Sequence, residues 1–87
     1  MEENNLVTVE FFGLYRLAYK KACVKVEAKN IEELFQKLYE MDDVHTPKEL
    51  RNSIVLLNGK NIMELRKFKT KLKPNDNVVI MSPASGG

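Results

Sequence analysis

The sequence predicts a two-layer α+β domain in which one main helix covers one face of four or five strands. In four short segments apolar residues recur at strand spacing, and in residues 31–41 they recur at helical spacing. A chain of 87 residues with 44% hydrophobic and 30% charged residues also has the size and composition of one globular domain. We therefore expect a single domain over residues 1–81 and a flexible tail over residues 82–87.

The first two strands are predicted at residues 6–12 and 22–28, because apolar residues occupy every second position in both. The segment between them, residues 13–21, is too short for a crossover helix, so the two strands should pair antiparallel. The side chains expected to point inward are those of Val7, Val9, Phe11, Val24, Val26 and Ala28.

The main helix is predicted to begin after Asn30 and to end near Met41. Asn is a favoured N-cap, Glu33 stands at the capping-box position, and acidic residues suit the first turn of a helix. A polar loop through Pro47 and a brief turn at residues 48–52 should follow. The predicted apolar face of the helix consists of Ile31, Leu34, Phe35, Leu38, Tyr39 and Met41.

The C-terminal half contributes two further strands, at residues 53–57 and 77–81. Asn58-Gly59 is a strong signal for a tight turn at the end of the first of these. Residues 61–65 are expected to be irregular. Residues 66–72 are expected to form an exposed edge or loop, because lysines alternate there with the packing groups.

Three of the strands carry apolar residues on both faces, at residues 11–12, 54–57 and 78–81. A sheet covered by a single helix should instead be polar on its open face. The surplus predicts either an exposed patch where a partner docks, or a cover formed by residues 13–21 with Tyr15 and Tyr19. Both interpretations remain open at this point.

The net charge of +2 is unevenly divided along the chain. Residues 1–47 carry six Lys/Arg and nine Asp/Glu, and residues 48–87 carry eight and three. The tail thus leaves from the basic half, which would suit an acidic docking face or an ATP-bearing partner, although basic surfaces are often only solvated. A nucleic acid is the weaker alternative, which would use the alternate lysines of residues 67–73 and base stacking by Phe68.

Little in the sequence indicates catalysis or metal binding by the chain alone. His45 lacks a second nitrogen or sulfur ligand at a useful spacing, Cys23 is expected to be an inert edge-strand thiol, and there is no glycine-rich phosphate loop. No apolar run reaches the length of a membrane span, the N-terminus is unlike a signal peptide, and a single cysteine fits a reducing compartment. We therefore expect a cytoplasmic protein with no membrane association, no catalytic residue, no metal and no cofactor of its own.

The chain closes on Ser-Pro-Ala-Ser-Gly-Gly, residues 82–87, directly after an apolar strand. None of these residues is bulkier than proline or charged, and glycine lets a backbone pass through a narrow channel. Six extended residues reach about 20 Å. Such a tail is typical either of a disordered end or of a carboxylate that is presented to a partner's active site.

Taken with the order of the strands, three stretches resemble the small ubiquitin-like sulfur carriers, which have the β-grasp fold and a mixed sheet. They are residues 9–16, residues 72–78 and the ending at residues 80–87. Within that group the chain is most similar to the small subunit of molybdopterin synthase, and less to the shorter thiamine-pathway carrier. Asn75 replaces a common glycine, and Ser82 replaces the first of two common prolines, which should make the root of the tail less rigid.

The resemblance implies that an adenylyltransferase similar to the ubiquitin-activating enzyme uses ATP and Mg²⁺ to adenylate the Gly87 carboxylate. A persulfide donor would then convert it to a thiocarboxylate. In the molybdopterin branch the tail would enter the large synthase subunit and deliver sulfur to the pterin precursor. The tail residues expected to thread through the partner are Pro83, Ala84, Ser85 and Gly86. The candidate partner interface consists of Phe12, Arg16, Leu57, Val79 and Met81.

Other uses of the same chain remain open. The terminus could be joined to lysines, as in a ubiquitin-like protein modifier, or it could serve tRNA thiolation. A third class is a module that binds RNA or protein and never uses its terminus. The first two cannot be separated from sulfur delivery for the molybdenum or tungsten cofactor by sequence alone, because all of them begin with adenylation.

Overall fold

The computed structural model describes residues 6–83, and these form a five-stranded sheet with helices on one side. In chain order the elements are β1 (Leu6–Phe12), α1 (Leu14–Tyr19), β2 (Cys23–Glu27), α2 (Ile31–Asp42), α3 (Pro47–Leu50), β3 (Ile54–Leu57), β4 (Lys60–Asn61) and β5 (Asn77–Met81). Two single-turn 3₁₀ helices, Ile62–Glu64 and Lys67–Lys69, stand between β4 and β5. Within the described range, no helix is long and apolar enough to cross a bilayer.

The sheet is mixed, with the strand order β2-β1-β5-β3-β4. β1 pairs with β2 antiparallel, as the short connection predicts, and with β5 in parallel. β3 pairs antiparallel with both β5 and β4. The predicted mixed sheet with one main helix is therefore confirmed. Because β1 and β5 are parallel neighbours, the end of β5 lies beside the end of β1, where Phe12 is opposite Met81.

The core lies between the sheet and α2. The predicted inward residues of β1 are fully buried, as are the helix residues at positions 31, 34, 35 and 38. Asn30 caps α2 as predicted, since its Oδ1 accepts a hydrogen bond from the Glu33 amide at 2.7 Å. Met41 is an exception to the predicted apolar face, because its side chain is 49% exposed. At 100° per residue it lies about 70° from the centre of the buried stripe, whereas Asp42 faces inward and pairs with Lys21 at 3.2 Å.

Residues 13–21, which are too short for a crossover helix, contain the short helix α1. Tyr15 and Tyr19 of α1 are buried, and Tyr19 stacks on Phe11 with ring centroids 4.1 Å apart. Since Phe11 belongs to the core face of β1, α1 lies on the same side of the sheet as α2. The alternative in which this segment covers the open face is therefore wrong.

The remaining connections agree in part with the predictions. The Asn58-Gly59 turn is confirmed, with φ values of 50° and 89°, and it joins β3 to β4. The turn predicted at residues 48–52 lies over the end of α3, which has its own capping box from Thr46 and Glu49. Residues 66–72 are only partly exposed, because Thr70 and Leu72 are buried.

Candidate functional site

The predicted reactive end of the chain can be located only by its root. Ala84, Ser85, Gly86 and Gly87 lie outside the described residues. β5 ends at Met81, and the next two residues are described: Ser82 is half-buried and Pro83 is exposed. The candidate site is therefore the surface from which the tail leaves.

An apolar patch lies on the open face of the sheet beside that root. Val78 and Ile80 are fully buried in the core, so by strand alternation Val79 and Met81 point to the opposite face. Residues directly opposite each other on neighbouring strands share a face, and the register places Leu56 beside Val79, with Ile54 and Phe12 on either side of Met81. We call these residues the open-face patch: Phe12, Ile54, Leu56, Val79 and Met81.

The patch retains three of the five residues predicted for the partner interface, namely Phe12, Val79 and Met81. Leu57 is a correction: it lies opposite Val78 and packs against the core, so it is on the helix side of the sheet. Ile54 and Leu56 were missed. The uninterrupted apolar run of β3 gives no alternation from which to decide which residues face inward, and a shift of one residue exchanges the two faces.

Arg16, the fifth predicted interface residue, lies on α1 and not on the sheet. Its side chain is exposed and forms no ion pair within residues 6–83. Its neighbours Leu14 and Leu17 are 68% and 73% exposed, so α1 presents two apolar side chains to solvent. The sequence pattern gave no sign of these leucines, because α1 itself was not predicted.

The root of the tail is in contact with the start of α1. The Leu14 amide donates a hydrogen bond to Ser82 Oγ at 3.3 Å. Gly13 precedes it with φ 68° and ψ −142°, and a Cβ atom at that position would lie 2.7 Å from Ser82 Oγ. Ser82 was expected to loosen the root of the tail relative to proline, but its hydroxyl makes a contact that proline cannot make.

His45 is part of a packed aromatic cluster, a role that its polar loop did not indicate. Its ring centroid lies 4.8 Å from that of Tyr15 and 5.6 Å from that of Tyr19, and its Nδ1 is 3.6 Å from a Glu49 carboxylate oxygen. Burial raises the pKa of Tyr19 to about 12. A hydrogen bond from the Thr46 amide is the main cause that lowers the pKa of Glu49.

The sequence also offered a thiol, a base-stacking ring and metal ligands as candidates for binding or chemistry. Cys23 is an exposed thiol on the edge strand β2. Phe68 packs on Phe35 at 5.9 Å between ring centroids, and the Arg51 guanidinium lies 4.8 Å above its ring, so the ring is part of the packing around the core. Within residues 6–83, no three His, Cys, Asp or Glu side chains are grouped as metal ligands.

The comparisons with known proteins agree with this geometry. The model of the ThiS family matches residues 9–87, which is most of the chain. A comparison with curated protein sequences found no significant match.

Among solved structures, the chain is similar to small archaeal modifier protein 1 from Methanosarcina acetivorans, with 22% identity and a TM-score of 0.84 over 99% of this chain and 100% of that one. It is similar to Urm1 from Trypanosoma brucei, with 22% identity and a TM-score of 0.73 over all of both chains. A third similar structure is a complex of subunits 1 and 2 of the molybdopterin-converting factor from Helicobacter pylori. The matched chain has 26% identity and a TM-score of 0.65, over 94% of this chain and 99% of that one.

These structures confirm the predicted β-grasp fold. The family match extends through the strands that carry the open-face patch to the terminal Gly-Gly. The chain belongs to the ThiS family of ubiquitin-like sulfur carriers.

Proposed function

We propose that the protein is a sulfur carrier whose Gly87 carboxylate is adenylated and then thiocarboxylated, and that it delivers sulfur as the small subunit of molybdopterin synthase. The observation that carries this proposal is the position of the tail root. The chain leaves the sheet at Met81, opposite Phe12, at the edge of an uncovered apolar patch. A partner that docks on this patch would therefore receive the terminus close to its own surface.

The chemistry requires activation because a carboxylate is a poor electrophile. In the proposed first step, an oxygen of the Gly87 carboxylate attacks the α-phosphorus of ATP, and pyrophosphate leaves. The terminal sulfur of a persulfide then attacks the carbonyl carbon, and AMP leaves. A second thiol attacks the donor's sulfur in the resulting acyl disulfide and breaks the S–S bond, so that a thiocarboxylate remains on Gly87 and the two thiols of the donor are left as a disulfide. The partners supply the catalytic groups, ATP and Mg²⁺, and this chain supplies the docking surface and the terminus.

Two kinds of partner are proposed for the same surface: the activating adenylyltransferase and the large synthase subunit. In Helicobacter pylori, subunit 1 of the molybdopterin-converting factor forms a complex with subunit 2, and the similarity of this chain to that structure supports the second partner. The free thiol of the exposed Cys23 is consistent with action in a reducing compartment, which we propose is the cytoplasm.

A protein modifier is the second candidate function. The similarity to small archaeal modifier protein 1, which extends over the whole of that chain, favours it. Adenylation of Gly87 is common to both functions, and only the later acceptor differs: a persulfide in one case and a lysine amine in the other. The docking surface and the tail root would serve either function without change.

Intact mass spectrometry tests the proposal. The protein is incubated with its activating adenylyltransferase, ATP, Mg²⁺ and a persulfide donor, and a variant that lacks Gly87 serves as the control. We expect the wild-type chain, but not the control variant, to gain the mass of one oxygen-to-sulfur exchange. The absence of this gain would overturn the carrier function, and lysine adducts that carry a Gly-Gly remnant would favour the modifier. Pterin sulfuration after addition of the large synthase subunit tests the molybdopterin branch.

A further inference from the structure

The contact between the tail root and α1 satisfies a backbone amide at the start of this helix. Leu14 is the first residue of α1, and the preceding Gly13 has no side chain with which to cap the helix. Ser82, 68 residues later in the chain, supplies the acceptor for the Leu14 amide. The first amides of a helix have no acceptor within the helix, and a hydroxyl oxygen can supply one. The first residue of the tail thus satisfies the Leu14 amide from outside the helix.

Gly13 makes this approach possible for two separate reasons. Its φ of 68° lies in the left-handed region, which residues with a Cβ seldom adopt. Its missing side chain also leaves the space that the Ser82 hydroxyl occupies, because a Cβ would lie 2.7 Å from that oxygen. Gly59 also has a positive φ, 89°, but nothing lies within 4 Å of the position of its Cβ. Close approach to a neighbour therefore distinguishes Gly13 from Gly59.

The partner of Ser82 in this contact is firmly held. α1 is fixed to the core by the stacking of Tyr19 on Phe11 and by the burial of Tyr15. On the other side, the pairing of β5 with β1 extends as far as Met81. Ser82 is therefore connected to the sheet by the preceding residue and to α1 by its own side chain.

We propose that the Gly13–Ser82 contact, here called the exit latch, fixes the direction in which the tail leaves the sheet. This role rests on the proposed function. A fully extended chain of five residues would reach about 17 Å from Ser82, so a 30° change of direction at the root would shift its end by up to about 9 Å. The latch limits this spread before the tail enters a partner, which lowers the entropic cost of bringing the carboxylate to its reaction site. Ser82 and Gly13 are in this sense positioning residues.

A double-mutant cycle in the free protein tests whether the latch exists. Gly13→Ala, Ser82→Ala and the double variant are unfolded with urea beside the wild type. We expect Gly13→Ala to raise the unfolding equilibrium constant about tenfold more in the wild-type background than in the Ser82→Ala background, where the clashing hydroxyl is absent. The backbone strain of alanine at position 13 is the same in both backgrounds, so it cancels from this comparison. Equal effects of Gly13→Ala in the two backgrounds would overturn the contact.

Adenylation kinetics test the positioning role. Ser82→Ala leaves the open-face patch intact, so KM for the carrier should stay within about twofold while kcat for pyrophosphate exchange falls about fivefold or more. Gly59→Ala should change neither value. The positioning role would be overturned if Ser82→Ala had the kcat of the wild type, or if its KM rose by the same factor as its kcat fell. If the wild-type chain is not adenylated at all, the proposed function fails and the positioning role fails with it, whereas the unfolding cycle still decides whether the contact exists.

Discussion

Tyr19 of α1 stacks on Phe11 of β1, with ring centroids 4.1 Å apart and ring planes inclined by 11°. This contact decides how the sheet is covered. Because Phe11 faces the core, α1 joins α2 on one side, and the other side keeps its apolar residues accessible. The same contact anchors α1, whose first amide holds Ser82. The proposed docking surface and the proposed direction of the tail thus both depend on one buried aromatic pair.

Stability at alkaline pH should depend on Tyr19. Burial raises the pKa of its hydroxyl from 10.0 to about 12 in the folded protein. Because the folded pKa is above the unfolded value, the stability that the protonated Tyr19 hydroxyl contributes is complete below pH 10 and is lost as the pH rises towards 12. Relative to Tyr19→Phe, the wild-type free energy of unfolding should fall by up to about 2.7 kcal/mol across this window. Urea unfolding at several pH values, followed by circular dichroism, measures the difference.

The same substitution should be harmless at neutral pH. Within the described residues, the buried Tyr19 hydroxyl has no hydrogen-bond partner, so its removal leaves no group unsatisfied. Tyr19→Phe should therefore match the wild-type stability at pH 7 or exceed it by up to about 1 kcal/mol. Tyr39→Phe, which leaves Tyr19 in place, should retain the alkaline loss. A Tyr19→Phe variant that loses stability with pH as steeply as the wild type would contradict this explanation.

Asn58 should contribute to stability through both its backbone and its side chain. Its φ is 50°, its side-chain Nδ2 donates to an Asp76 carboxylate oxygen at 3.0 Å, and its Oδ1 accepts from the backbone amide of Asn77 at 2.9 Å. Asn58→Gly loses the side-chain bonds but accepts the positive φ freely and should cost about 1 kcal/mol, while Asn58→Ala keeps a Cβ at positive φ without the side chain that lets asparagine adopt it and should cost about 2 kcal/mol. Thermal unfolding of both variants checks the order. A glycine variant less stable than the alanine variant would contradict it.

Arg16 should influence how fast a partner associates and have little effect on the fold. Its side chain is exposed on α1 and forms no ion pair in the described range. Arg16→Ala should therefore change the free energy of unfolding by no more than about 0.5 kcal/mol. If its charge steers an acidic partner, the association rate with the activating enzyme should fall at low salt, and the difference should vanish at high salt. Stopped-flow measurements at two ionic strengths test this, and a rate unaffected at both would remove Arg16 from the interface.

The parts of the fold that were predicted correctly are those with local signals. Asn30 marks the start of α2 through a side-chain bond to Glu33, three residues away, and Asn58-Gly59 marks a hairpin by its own backbone preference. α1 has only six residues, too few to show a periodicity, and its first amide is satisfied by Ser82 from the far end of the chain. No window of sequence contains that relationship.

The candidate interface also shows that local signals are not enough, because Leu57 lies on the face opposite to the one predicted. Leu56 and Leu57 are adjacent leucines in a continuous apolar strand, and only pairing with β5 decides which of them faces the core. That pairing places Leu56 opposite Val79 and Leu57 opposite Val78, and the residues of each pair are more than 20 positions apart in the chain. The two leucines are consequently a matched pair for separating docking from folding.

Substitution of Leu56 by serine should weaken partner binding and spare the fold. Leu56 lies on the open face opposite Val79, where a docked partner would cover it. Removal of a central apolar contact from an interface of this kind should lower the affinity for the activating enzyme about tenfold or more. Because no core residue loses a neighbour, the free energy of unfolding should change by less than about 1 kcal/mol. Calorimetric titration and urea unfolding of the same preparation provide both values.

Leu57→Ser is the control, and it should show the opposite pattern. Its side chain packs against the core, so a polar replacement should cost about 2 kcal/mol or more of stability. At a temperature where the variant stays folded, its affinity for the activating enzyme should remain within about twofold of the wild type. If both serine variants bind equally weakly, the open face does not carry the interface. The docking surface would then have to be sought on α1, where Leu14 and Leu17 are exposed beside the same tail root.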